Sequence, residues 1–88
     1  MKIKEGYILR SVAGNHIVVG VGAASVDFNG MININETGAF LWKIFENGAS
    51  IDEAAELMIK EYDIDIETAK ADVTAFVEKL EAADLIEK

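Results

Sequence analysis

Residues 30–45, GMININETGAFLWKIF, change their period without a linker. Met31 to Ile34 alternates as a strand does, with Ile32 and Ile34 on one face and Met31 and Asn33 on the other. From Glu36 the apolar residues recur at helical spacing instead. Asn35 stands at the change and is a preferred N-cap, because its side-chain oxygen can accept a hydrogen bond from an otherwise unpaired amide of the first turn. Glu36 adds a negative charge at the positive end of the helix dipole. The helix predicted from Glu36 to about Glu46 is apolar nearly all round, with Leu41, Trp42 and Phe45 on one face and Phe40 and Ile44 beside them. Its polar stripe is confined to Glu36, Lys43 and Asn47, so it belongs at the centre of the fold, covered on several sides. Asn47-Gly48 ends it.

Upstream, YILRSVA (7–13) and HIVVGV (16–21) are β-branched and aromatic runs expected to pair antiparallel about a Gly14-Asn15 turn. A looser GAAS leads to VDF, and Asn29-Gly30 is a hairpin signal that turns the chain into Met31. Downstream, Ser50 and Glu53 form a capping box for a second helix reaching about Glu61, with Ala54, Ala55, Met58 and Tyr62 at core spacing. Asp65 is the expected cap of a third helix over 66–83, whose stripe is Ala69, Val73, Phe76, Val77 and Leu80. A final LIEK packs back as a short extended tail. The order is strands, then three helices, an α+β pattern in one domain over 1–88.

The 88 residues contain no cysteine and no proline, which removes disulfides, thiolate metal sites and cysteine nucleophiles. No apolar run reaches a membrane span, and MKIKEGYILR has neither the apolar stretch nor the cleavage site of a signal peptide, so a cytoplasmic protein is expected. The net charge of −8 is uneven. Lys2, Lys4 and Arg10 against Glu5 and Asp27 leave residues 1–35 at +1, and the other 53 residues carry −9. The acid is on the helices, a surface that repels phosphate backbones and favours a neutral or basic partner.

Little of this carries catalysis. His16 has no second His or Cys with which to share a metal and reads as a strand residue. Asp63, Asp65 and Glu67 imitate the start of a calcium loop, but Thr68 stands where glycine is needed and Thr74 where the bidentate glutamate belongs. Trp42 has core spacing rather than that of an exposed stacking residue. Paired carboxylates on solvated helices lack the burial that shifts their pKa values, so neither an enzyme nor a cofactor is expected. A β-ribbon followed by two closely joined helices also suits winged-helix DNA binding. The third helix, however, sets Lys70 and Lys79 against Glu67, Asp72, Glu78 and Glu81 and has no arginine to grip guanine.

Over most of its length the chain resembles the PqqD family, named for a protein of pyrroloquinoline quinone biosynthesis. The resemblance is carried by Asn29-Gly30, Asn35-Glu36-Thr37-Gly38, Leu41-Trp42, the Glu61-Tyr62-Asp63 turn, and the series Asp72-Val73, Phe76-Val77 and Leu80. YILRSVAGNHIVV is similar to the family's opening hairpin. The resemblance implies a small winged-helix-like domain, not itself an enzyme, that binds the leader of a ribosomally made precursor peptide. It also implies delivery of that peptide to a modifying enzyme, often a radical S-adenosylmethionine enzyme. In such domains the leader adds a strand to the sheet edge and packs against the third helix. Carried onto this sequence, the edge is Met31, Ile32, Asn33 and Ile34, and Val73, Thr74, Val77, Glu78 and Glu81 are the candidate residues of the facing helix. Asp84 departs from the pattern, which has glycine before the Leu-Ile pair.

The residues fit that mechanism. Proteins ordinarily protect a strand edge with proline, charge or short length, and MINI contains neither proline nor charge. Strand addition draws affinity from main-chain bonds and selectivity from side-chain pockets, and the acidic helix would select a basic leader. The same edge also suits pairing with a second copy, giving a homodimer.

Overall fold

In the computed structural model, which describes residues 1–22 and 31–87, small antiparallel sheets precede and flank three helices. The elements are β1 (Lys2–Ile3), β2 (Tyr7–Val12), β3 (Asn15–Gly20), β4 (Met31–Ile34), α1 (Glu36–Glu46), α2 (Ile51–Glu61), α3 (Ile66–Ala82) and β5 (Ile86–Glu87). The fold is α+β, as the order of periods in the sequence requires. VDF and the Asn29-Gly30 hairpin signal lie outside the described residues, as does GAAS after Gly22.

Strands β2, β3 and β4 form one antiparallel sheet in that order, with Leu9 opposite Val18 and Val18 opposite Ile32. The first hairpin corrects the sequence reading. Its turn is Ala13-Gly14, both at positive φ (52° and 81°), and Asn15 belongs to β3. A turn one residue later would set Ser11 opposite the fully buried Val18 and Gly20 opposite Leu9. The observed register keeps the apolar pairs on the core face, at the cost of a left-handed alanine, about 1–2 kcal/mol. It also brings Ser11 Oγ within 2.7 Å of His16 Nδ1, which accounts for the single histidine as a strand residue.

Two-residue loops of this kind fix which backbone groups pair. Val12 and Asn15 exchange bonds, and every second pair along the ladder does the same. The bond from Val21 N to Gly6 O, 2.7 Å, obeys this alternation at the far end. His16 and Val18 therefore turn their backbone groups toward β4, where they face Ile34 and Ile32. Met31 and Asn33 must direct their N–H and C=O groups the other way.

Each helix starts where the sequence places its cap. Asn35 accepts from Gly38 N (2.8 Å), Ser50 and Glu53 form the reciprocal capping box, and Asp65 accepts from Thr68 N (2.8 Å). Helix α1 is central: Leu41, Trp42 and Phe45 are buried, with Phe45 stacked on Phe76 of α3 and Phe40 edge-on to Tyr62. Ala54, Ala55 and Met58 of α2 and Ala69, Val73, Phe76, Val77 and Leu80 of α3 complete one core cluster with Val18 and Ile34.

The end of α3 is closed by a Schellman arrangement. Asp84 takes a left-handed conformation (φ 59°), Asp84 N donates to Glu81 O and Leu85 N to Leu80 O. The position that suits glycine is thus real, and Asp84 occupies it while pairing with Lys4 Nζ at 2.6 Å. The tail then pairs as β5 with β1, a strand the sequence did not announce, with Ile3 opposite Ile86. No helix among the described residues is long and apolar enough to cross a membrane.

Candidate peptide-binding edge and cleft

Strand β4 closes the sheet. Among the described residues no strand lies on its other side, so the N–H and C=O groups of Met31 and Asn33 meet no ladder partner there. The direct passage from β4 into α1 holds this edge still, because Ile34 is buried and Asn35 caps the helix that carries Trp42 and Phe45.

Beside the edge is a cleft of about 320 Å³, lined by Ile34, Asn35, Thr37, Gly38, Leu41, Asp72, Ala75, Phe76 and Lys79. Ile34, Leu41 and Phe76 give it an apolar floor, with Asp72 and Lys79 as its charged groups. Gly38 is required by close approach. A Cβ there would lie 3.1 Å from Ile34 Cβ and 3.3 Å from a ring carbon of Phe76, so β4, α1 and α3 converge at a position where an added side chain obliges a neighbour to give way. Lys79 reaches across from α3 and donates to the outward carbonyl of Asn33 at 3.1 Å, an independent sign that this carbonyl points away from β3. A second groove, between α1 and α2 and lined by Phe40, Ile44 and Leu57 among others, has no strand edge beside it.

The residues expected from sequence are distributed as follows. Met31, Ile32, Asn33 and Ile34 form the edge strand; Ile34 is buried, Ile32 half-buried against the core and Asn33 exposed. Val73 and Val77 are core residues, 0% and 2% exposed, and lie outside the cleft lining. Thr74 and Glu81 share, on the helical period, the flank of Lys70, whose ammonium pairs with Asp52 of α2 at 3.3 Å. Glu78 is exposed between that flank and the cleft. The α3 side of the cleft is instead built from Asp72, Ala75, Phe76 and Lys79, which repeat at i, i+3, i+4 and i+7 on the adjoining face. The signal that could have found them was the family motif at Gly38. A glycine inside a first helical turn marks the point where another element comes close, and the α3 face meeting it is the one containing Phe76.

The sequence pattern of the family described as coenzyme PQQ synthesis protein D (PqqD) matches residues 8–86. The chain belongs to the PqqD family. Among the curated proteins none matches this PqqD-family chain. Two solved structures share its fold. One is described as TbiB1 in complex with the TbiA(beta) leader peptide, with a TM-score of 0.77 at 20% identity over 99% of this chain and 95% of that one. The other is lasso peptide synthetase B1 complexed with the leader peptide, with a TM-score of 0.76 at 15% identity over 99% of this chain and 96% of that one. At these identities the likeness establishes that the PqqD-family chain has the same fold as both.

Proposed function

We propose that this chain is a peptide-binding adaptor. It captures the leader of a ribosomally made precursor peptide as an added strand on Met31–Ile34, against α3, and presents it to a modifying enzyme of the radical S-adenosylmethionine class. It performs no chemistry on the peptide itself, needs no cofactor and binds no nucleic acid. The observation that carries the reading is the edge of β4, which no strand covers among the described residues, with the backbone groups of Met31 and Asn33 turned outward beside an apolar cleft. Main-chain bonds to this edge supply affinity without regard to sequence, and the cleft supplies selectivity. The descriptions of the two structures of like fold, both complexes with leader peptides, support the same partner.

In this reading Ile32 and Ile34 keep the edge in place from the core side, and Val73 and Val77 do the same for α3. Thr74, Glu78 and Glu81 lie beside the cleft rather than in it, and Asp72, Ala75, Phe76 and Lys79 meet the peptide. The test is an amide-resolved titration of isotope-labelled protein with a leader peptide encoded beside its gene. Perturbations centred on residues 31–34 and the cleft face of α3 are expected, and perturbations elsewhere alone would overturn the mode. Asn33→Pro removes an outward donor from the edge and is expected to abolish binding with the fold retained. Unchanged binding by that variant would also refute strand addition. Self-pairing of β4 between two copies predicts instead a dimer that dissociates when peptide is added.

A further inference from the structure

Lys79 occupies the place that an added strand has to take. Its ammonium donates to the outward Asn33 carbonyl, 3.1 Å away, and that carbonyl is an acceptor the edge offers to a partner's N–H. MINI lacks a charge of its own, but the edge is protected from outside the strand by a lysine, one of the commonest ways of blunting a free edge. Resting on the strand-addition reading above, we propose that Lys79 is a specificity-determining residue, which selects peptides carrying an acidic side chain next to the residue that pairs with Asn33.

When a strand pairs with β4, its N–H takes the Asn33 carbonyl and the ammonium loses that acceptor. It remains at the rim of the cleft, within reach of the peptide side chains that face α3. A carboxylate there forms a charge-assisted bond, stronger than the bond to a neutral carbonyl that it replaces. A neutral side chain leaves the ammonium to water, and a basic one is repelled.

The overall charge of −8 argues for a basic peptide, but it acts at long range. Inside the cleft the charged groups are Lys79 and Asp72, seven residues apart on α3 and so ~10.5 Å along its axis. Lys70 is committed to Asp52, and Glu78 and Glu81 are outside the lining. Acidic helices therefore attract a basic peptide as a whole, while one position of that peptide is held to the opposite sign.

The experiment selects a displayed library of random linear peptides in parallel on the wild-type chain, Lys79→Met and Lys79→Glu. Enriched peptides are then tested as synthetic Glu and Gln versions, with the Asn33 amide followed in labelled protein. Wild type is expected to enrich Asp or Glu at one fixed position and to bind the Gln version about tenfold more weakly. Lys79→Met should erase that difference, and Lys79→Glu should recover binding with Lys at the same position. Peptides that shift the Asn33 amide yet show no acidic preference, or an equal preference with Lys79→Met, would overturn the proposal and leave the leader-binding reading intact. If no selected peptide shifts the amides of residues 31–34, both fall.

Discussion

Gly38 shows how one absent side chain sets the spacing of a site. Replacing it with Ala gains helix propensity, about 1 kcal/mol, but places a Cβ 3.1 Å from Ile34 Cβ. That neighbour is fixed to its backbone and cannot rotate away, so β4 or α1 must shift, at ~1–3 kcal/mol for an overpacked site. Gly38→Ala is therefore expected to be destabilised by about 1 kcal/mol net in urea unfolding and to displace the amide resonances of Ile34 and Phe76. Trp42 is the opposite case. It is 0% exposed, and its indole nitrogen has no acceptor among the described residues, so its value is volume rather than a polar contact. Trp42→Ala is expected to lose ~3–5 kcal/mol of stability. A stable variant that had lost only peptide binding would contradict the core role.

The elements are joined by caps, and one cap makes a pH-dependent contribution. The Asp65 carboxylate accepts from Thr68, and that hydrogen bonding holds its pKa below the usual 3.8. A depressed folded-state pKa stabilises the fold fully above the unfolded value, and that contribution is lost as pH falls through the folded value. The first turn of α3 should accordingly fray at a pH below the ordinary aspartate range, before the α1 cap, because Asn35 does not titrate. Amide exchange at Thr68 and Gly38 across an acid titration separates the two. Simultaneous loss would mean that global unfolding, rather than the cap, governs α3.

Across the whole molecule the two ends of the chain hold each other. Leu85 and Ile86 are 0% and 6% exposed, Ile86 pairs with Ile3, and Lys4 pairs with Asp84. Burying two such aliphatic side chains stabilises by ~1.5–3 kcal/mol each, against a total stability of ~0.05–0.15 kcal/mol per residue for a domain. Truncation after Ala83 is therefore expected to remove a large part of the folding free energy, seen as a broad, low-temperature thermal transition. A truncated chain that melts like the full one would show β1 and β5 to be decoration.

The sequence alone determined the helices, their caps, the apolar stripes and the strand that runs into α1, because each depends on residues within a turn or two of one another. An Asn, Ser or Asp oxygen reaches an amide three residues away whatever the rest of the chain does. Asp84 was marked as a glycine position only by the family resemblance, and its left-handed φ of 59° agrees. Tertiary structure decided what local geometry leaves open. The one-residue choice between Ala13-Gly14 and Gly14-Asn15 depended on which register keeps Leu9 opposite Val18, and that choice fixed which backbone groups of β3 pair with β4. An apolar stripe tells where a helix meets the core but not which flank borders a neighbouring edge. Val73 and Val77 thus proved to be core residues, and Asp72, Ala75, Phe76 and Lys79 became the wall of the cleft. The Lys79–Asn33 contact joins residues 46 positions apart, a distance over which only the folded chain brings side chain and carbonyl together.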